Sequence, residues 1–408
     1  MSANAGPDIV EDGIVFYYDT GNTVKSYTGE PTENLFGTTA MTFQSDYPDF
    51  TSYIQNGSDS IGNYIIKDTV NAPWYTGLRV RDNGIRPLTT GVSYVVSFEC
   101  RSPQYGWSWS LDSNQYGGDW NDNDSGRTSF TNLTFISTGG TTYTQDMVNT
   151  WQKVQYTVYM KSWSTGSPTA YPLDSFFPDA NNIKIYYRNP QIEIGKTHAT
   201  QYTPTSRSAT QGLLDMTGNS TINITNASFD NNAQIEFDGT NDYTDSGYDL
   251  SWNNTNSVSV EFMVKPYNVS GGNYGIIGKE YPNWEWAFYQ SNTTLNLVYW
   301  NNAGGHSNGM DFQVNVFPTA NTWYHVIYTW DTTTSIFYVN GTAAGSKVAV
   351  DPSINQNRSN NVMIGGHTYV WADSYFNGKL DMVKFYNKAL TTSEVQQNYQ
   401  ALRYRFGI

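Results

Sequence analysis

The sequence predicts an all-β chain of short antiparallel strands that fold as β-sandwiches, with a short helix near the C-terminal end. Three observations predict it. Short runs of aromatic and β-branched residues alternate with polar ones and stop at Asp, Asn or Gly, the pattern of strands joined by tight turns. Aromatic residues make up 16% of the 408 and charged residues only 14%, against roughly a quarter in ordinary domains, so Asn, Ser, Thr and Gly must cover the surface. Helical spacing stands out in one place, close to the C-terminus.

Along the chain, Gly13-Ile-Val-Phe-Tyr-Tyr-Asp19 reads as a first strand. Gly91-Val-Ser-Tyr-Val-Val-Ser-Phe-Glu-Cys100 is an alternating strand entered from a glycine turn, and Lys184-Ile-Tyr-Tyr-Arg-Asn-Pro-Gln-Ile-Glu-Ile-Gly195 is another long strand phrase. Three more follow: Asn321-Thr-Trp-Tyr-His-Val-Ile-Tyr-Thr-Trp-Asp331, Ser335-Ile-Phe-Tyr-Val-Asn-Gly341, and Tyr375-Phe-Asn-Gly-Lys-Leu-Asp-Met-Val-Lys-Phe-Tyr386. Thr391-Thr-Ser-Glu394 is a capping box, and Val395, Tyr399 and Leu402 share one helical face, so a helix there covers one end of a sandwich. The tail Arg403-Tyr-Arg-Phe-Gly-Ile408 packs locally or docks on a neighbour. Asn149-Thr-Trp-Gln-Lys-Val lines up with Asn321-Thr-Trp-Tyr-His-Val, an echo that implies two sandwiches and not a solenoid.

Charge narrows the partners. With 22 basic and 36 acidic residues the net charge is −14, which repels phosphate backbones and argues against nucleic acid. No run of 18 apolar residues is present to span a membrane. The N-terminus carries no basic segment or apolar run, so no secretory signal is expected. Cys100 is alone, and its apolar strand predicts a buried structural thiol. The sequons at Asn56, Asn132, Asn223 and Asn340 read as by-products of an Asn- and Thr-rich surface.

The phrases Trp323-Tyr-His-Val326, Tyr338-Val-Asn-Gly341 and Phe376-Asn-Gly-Lys-Leu-Asp381 resemble the laminin-G or concanavalin A-like sandwich family. Members of that fold most often bind sugars or proteins. Pro31-Thr-Glu-Asn-Leu-Phe36, the Gly91 strand, and the closing Gln191-x-Glu-x-Gly195, Ala199-Thr200 and Tyr202-x-Pro204 resemble jelly-roll carbohydrate-binding modules. Laminin-G-like phage domains open with phrases like Gly13 to Asn22 and continue shortly with ones like Leu213-Leu-Asp-Met-Thr-Gly-Asn219, yet about 190 residues separate the two here. The resemblance therefore implies a discontinuous laminin-G-like sandwich over residues 1–32 and 205–408, with a carbohydrate-binding-module-like jelly roll inserted at 33–204. A module whose termini lie close together is a tolerated insert.

Together the phrases resemble virion structural proteins of tailed phages, especially cyanophages. That resemblance implies a fibre, spike or decoration protein presenting glycan-binding-type sandwiches to a host surface, assembled in the host cytoplasm. Its partners would be other virion proteins and a host-surface polysaccharide, in a homo-oligomer, with a trimer preferred. Two other readings remain: a purely structural virion protein that binds no sugar, and a bacterial glycoside hydrolase or its accessory lectin.

Sugar binding needs flat aromatic faces ringed by polar groups. Trp74, Tyr75, Trp107, Trp109 and Trp120 are candidates in the insert, and Trp284, Trp286, Trp300 and Trp371 in the other sandwich. Trp and Tyr also fill β-sandwich cores, and Trp107 and Trp109 share a strand face, so both line a core or both line a surface. Catalysis is not expected. Related glucanases place three acids on one strand, whereas Glu236-Phe-Asp238 runs into a turn without a third. His198, His306, His325 and His367 stand outside metal-ligand spacings. No cofactor is implied, except that Asp119, Asp122 and Asp124 cluster oxygen donors of the kind calcium takes, in a loop that also reads as a plain acidic turn.

Overall fold

The computed structural model describes residues 7–36, 43–44, 54–67, 79–80, 91–111, 128–136, 140–160, 176–179, 182–230, 232–252, 255–279, 285–300, 312–348, 359–366 and 375–408. The chain divides into two compact units, one formed by Met1–Pro31 with Ser208–Ile408 and one by Thr32–Arg207. Both are antiparallel β-sandwiches.

In the first unit, an eight-stranded sheet runs in the order Ser228–Phe229, Ile235–Asp238, Asn377–Tyr386, Val258–Pro266, Tyr324–Trp330, Thr334–Val339 and Thr342–Val348. The eighth strand, Ile14–Asp19, pairs with the second half of Asn377–Tyr386, with Asp19 opposite Met382. A seven-stranded sheet faces it: Asn223–Thr225, Tyr243–Asp245, Met363–Ile364, Asn273–Lys279, Trp286–Ser291, Thr294–Tyr299 and Phe312–Asn315. Alternation explains the core between them. Phe16 and Tyr18 point inward from one strand, Phe262 and Val264 from another, and Tyr328 and Trp330 from a third, to meet Trp252, Trp286 and Phe288.

The opposite face of the eight-stranded sheet carries the helix Thr392–Phe406. Thr391 and Glu394 form the capping box, and Gly407 closes the helix at φ 70°, donating its N–H to the Arg403 carbonyl. Val395 joins Ile327, Tyr338 and Tyr386, while Leu402 and Phe406 join Met263 and Met382. Beneath the helix lies a buried polar network centred on Glu261. Its carboxylate accepts from His325 Nε2 (2.9 Å), Lys384 Nζ (3.1 Å), Tyr386 Oη (2.8 Å) and Asn398 Nδ2 (2.7 Å). Burial alone would raise the Glu261 carboxyl, but the Lys384 ammonium and His325 hold it down at about 2. Four donors to one carboxylate are what a charge removed from water requires. The sequence places Val395, Tyr399 and Leu402 on the packing face; Val395 and Leu402 are buried there, and Asn398 fills the turn between them.

In the second unit, a six-stranded sheet runs Ile54–Ser58, Asn63–Lys67, Lys184–Ile194, Ser93–Arg101, Gln152–Met160 and Thr128–Phe135, and a three-stranded sheet runs Thr142–Tyr143, Trp107–Leu111 and Phe176–Asp179. Trp107 stacks on Tyr143 (centroids 4.9 Å) and meets Trp109 edge-on (5.4 Å) in the core. Cys100 is buried there as a free thiol, pushed up to about 12 by burial.

The Gln-x-Glu phrase closing this unit is a latch. Gln191 and Glu193 point to the same side of their strand and bond the backbone of the segment that follows. Gln191 Oε1 accepts from Thr203 N (2.8 Å), and Glu193 accepts from Thr200 N (3.0 Å), Thr200 Oγ1 (2.5 Å) and Thr32 Oγ1 (2.6 Å). Asn34 donates to the carbonyls of Pro190 and Thr203, and Thr32–Glu33 pairs with Ser206–Arg207. The two ends of the unit are thus tied side by side.

Candidate functional site

The outer face of the six-stranded sheet carries the most distinctive surface chemistry among the described residues. In Ser93–Arg101, residues Tyr94, Val96, Phe98 and Cys100 enter the core, so Glu99 and Arg101 point outward. Ile65 points inward, and Tyr64 therefore outward; Ile185 and Tyr187 point inward, and Tyr186 outward. The register sets Tyr64 opposite Tyr186, and Tyr186 opposite Arg101. Gln152 pairs with Cys100, so Trp151 stands beside Arg101. A row Tyr64, Tyr186, Arg101, Trp151 thus crosses three strands and the residue leading into a fourth, in steps of about 5 Å. A second row, Arg188, Glu99, Lys153, lies next to it.

These side chains hold one another. Lys184 Nζ lies over the rings of Tyr64 (3.7 Å) and Tyr186 (4.8 Å) and pairs with Asp59 at 2.5 Å. Tyr186 Oη donates to the same Asp59 oxygen (2.8 Å). The hydrogen bond from Lys184, followed by that from the Ile61 N–H, lowers the Asp59 carboxyl to about 2. On the other side, the Arg188 guanidinium lies 3.9 Å over the Trp151 ring while its Nε donates to Glu99 (2.6 Å). Arg101 stands between these two clusters, and its buried Nε has no hydrogen-bond partner.

Local structure explains the placement. Tyr143, buried in the core, accepts from the Ser102 N–H and lies within bonding distance of the Met147 and Thr150 carbonyls. Asn149, at φ 60°, donates its N–H to the Ser102 carbonyl. The turn before Trp151 is therefore pinned to the end of the Arg101 strand. A bulge between Arg188 and Gln191, with Asn189 at φ 57°, lets both Arg188 and the Gln191 latch lie on the outer face.

The aromatic residues singled out in the sequence lie elsewhere. Trp107, Trp109, Trp286 and Trp300 are at most 2% exposed. This corrects the expectation that they form a sugar-stacking surface, because a ring closed in by neighbours has no free face. Trp286 packs against Trp252 (4.4 Å) and donates Nε1–H to the Leu250 carbonyl (2.9 Å); Trp300 packs with Ala287 and Val298. Trp74, Tyr75, Trp120, Trp284 and Trp371 lie outside the described residues, as do Asp119, Asp122, Asp124, His306 and His367. Among the described residues no group of three or more His, Cys, Asp or Glu side chains could hold a metal ion.

The acids that catalysis would need are engaged in structure. Glu236 accepts from Tyr267 Oη and lies 3.4 Å from Lys379 Nζ, while Asp238 accepts from the Thr240 N–H (2.7 Å) in the turn at Gly239. A groove of 460 Å³ in the first unit is lined by Glu11, Ile14, Tyr17, Lys25 and Met216 among others. No described helix is long and apolar enough to cross a membrane.

Tyr64, Arg101, Trp151, Tyr186 and Arg188 were not among the residues singled out from sequence. A signal for Trp151 exists: counting by twos from the buried Val154, Tyr156 and Val158 puts it on the opposite face.

Residues 238–396 match the family model of the concanavalin A-like lectin/glucanases superfamily, of laminin-G type. That stretch of the chain therefore has a lectin-like fold. No curated protein matches the chain. Similar solved structures include the receptor binding domain of botulinum neurotoxin D (14% identity, TM-score 0.39, 49% of this chain and 52% of that one) and the botulinum neurotoxin serotype D binding domain (15%, 0.38, 47% and 49%). A third is the binding domain of Paraclostridial Mosquitocidal Protein 1 (15%, 0.36, 46% and 49%). The chain spans about half the length of each, and likeness at this level carries no argument about function.

Proposed function

We propose that the chain is a non-catalytic, glycan-binding adhesion protein whose contact surface is the aromatic and cationic face of the 32–207 unit. The observation that carries this reading is the row Tyr64, Tyr186, Arg101, Trp151 on the outer sheet face, in which Tyr64, Arg101 and Trp151 are partly exposed and Tyr186 is buried with Lys184 over its ring. The lectin-like fold of residues 238–396 supports it, and the 32–207 unit is read as the carbohydrate-binding-module-like insert. The engagement of Glu236 and Asp238 in turn and sheet contacts supports the absence of catalysis.

The setting we propose is a phage virion, with the chain as a fibre, spike or decoration protein assembled in the host cytoplasm beside other virion proteins. This part rests on the order of sequence phrases. Single contacts on a shallow sheet face are weak, so attachment would come from several linked copies, in a trimer, which raises apparent affinity by about a hundredfold or more. A glycan array tests the reading: the wild-type chain binds a subset of saccharides and Trp151→Ala loses them while staying folded. A wild-type chain that binds no glycan would leave the purely structural virion role in its place.

A further inference from the structure

We infer that the saccharide taken by this surface is anionic, a carboxylated polymer of the polyuronate class, and that Arg101 is its receptor. The inference rests on the glycan-binding reading and deepens it. On this face the other cations are committed: Lys184 to Asp59, Arg188 to Glu99, and Lys153 to the Ala199 and Thr200 carbonyls. Arg101 has neither a carboxylate nor a hydrogen-bond acceptor at its buried Nε. The Nε is closed off from solvent, so an arriving carboxylate would take the two Nη groups of the guanidinium, which has no carboxylate partner of its own, in a forked pair of hydrogen bonds.

The neighbours fit the same occupant. Trp151, partly exposed beside Arg101 in the row, gives a sugar ring apolar surface next to the charge, while Tyr186 on the other side is buried and fixes the strand below it. Arg188 is 47% exposed and one row away, paired with a Glu99 that is itself 23% exposed. It is placed to exchange Glu99 for a second carboxylate along a repeating polymer. A neutral saccharide would offer hydroxyl acceptors but leave the Arg101 charge without a counter-charge. The excess of acidic residues over the whole chain repels a polyanion in general, so binding must come from a local site.

The test is titration of the full chain with polygalacturonate oligomers, with the same oligomers after carboxyl reduction, and with neutral dextran oligomers as probes. We expect binding to polygalacturonate that weakens with salt, a tenfold or greater loss in Arg101→Gln, and a several-fold gain in Glu99→Gln, which frees Arg188. Lys347→Gln, a charge change in the other unit, should leave affinity unchanged. Equal binding of the carboxyl-reduced oligomers, or equal loss in Lys347→Gln, overturns the anionic receptor while leaving glycan binding intact. Binding to none of the three probes, on an array that also shows no saccharide bound, overturns the glycan reading itself. Arg101→Lys separates loss of the receptor from misfolding: it keeps the charge without the fork, and unchanged affinity there contradicts the forked geometry.

Discussion

The indole of Trp323 packs edge-on against Phe406 of the C-terminal helix, centroids 4.9 Å apart. Trp151, at the corresponding place in the other unit, has the Arg188 guanidinium over it and stays partly exposed. Each tryptophan follows an asparagine in the left-handed region, Asn149 at φ 60° and Asn321 at φ 57°, and each precedes a strand whose alternate residues enter a core. The same local device therefore delivers a tryptophan to the outer face of both sheets. In one unit a helix covers it, and in the other it stays partly exposed under the Arg188 guanidinium.

Surface and core tryptophans should respond oppositely. Trp151→Ala is expected to change unfolding free energy by about 1 kcal/mol or less and to abolish glycan binding, whereas Trp109→Ala should cost about 3–5 kcal/mol as a core truncation. Urea denaturation followed beside the array measures both.

Glu261 makes stability depend on acid. Its carboxyl lies at about 2 in the folded chain against the ordinary 4.5, so its contribution is present above 4.5 and is lost as pH falls toward 2. The shift corresponds to roughly 3 kcal/mol. Glu261→Gln should remove this part of the acid dependence and destabilise the protein near neutrality, because Lys384 is left buried without its carboxylate. Thermal melts between pH 2 and 7 give the comparison.

Asp381 acts with the opposite sign. Burial raises its carboxyl to about 8, only partly offset by Arg405 and Lys379, so its contribution is fully present below about 3.8 and is lost as pH rises toward 8. Asp381→Asn keeps a side-chain oxygen for the Ile235 N–H that Asp381 now receives. The variant should therefore raise Tm relative to wild type at pH 9 and bring no gain at pH 4.

The latch predicts a local effect. Glu193→Ala removes the acceptor of Thr200 N, Thr200 Oγ1 and Thr32 Oγ1, leaving buried donors unsatisfied at about 1–3 kcal/mol each. Proteolysis should then cut first within residues 196–204, detectable by mass spectrometry of the fragments.

The fold was more legible than the site. Period-two alternation ending at Asp, Asn or Gly marks strands such as Tyr324–Trp330 and Asn377–Tyr386, and the Thr391–Glu394 capping box marks the helix. All of these are local signals. The surface row is not local: Tyr64, Tyr186 and Arg101 come from three separate strands, Trp151 leads into a fourth, and they meet only through register. The tryptophan-rich phrases drew attention instead, yet Trp107 and Trp286 are large rings that close the two cores. The Gln191-x-Glu193 phrase was legible as a family mark, but its work as a backbone latch required the fold.

Glycan binding at the face holding Trp151 is tested by the indole N–H resonances of the 15N-tryptophan-labelled full chain. On titration with a saccharide chosen from the array, the Trp151 resonance, assigned by its loss in Trp151→Phe, should shift while those of Trp107, Trp109, Trp286 and Trp300 stay in place. A titration that moves the buried indoles or other tryptophans and leaves Trp151 unchanged would contradict it.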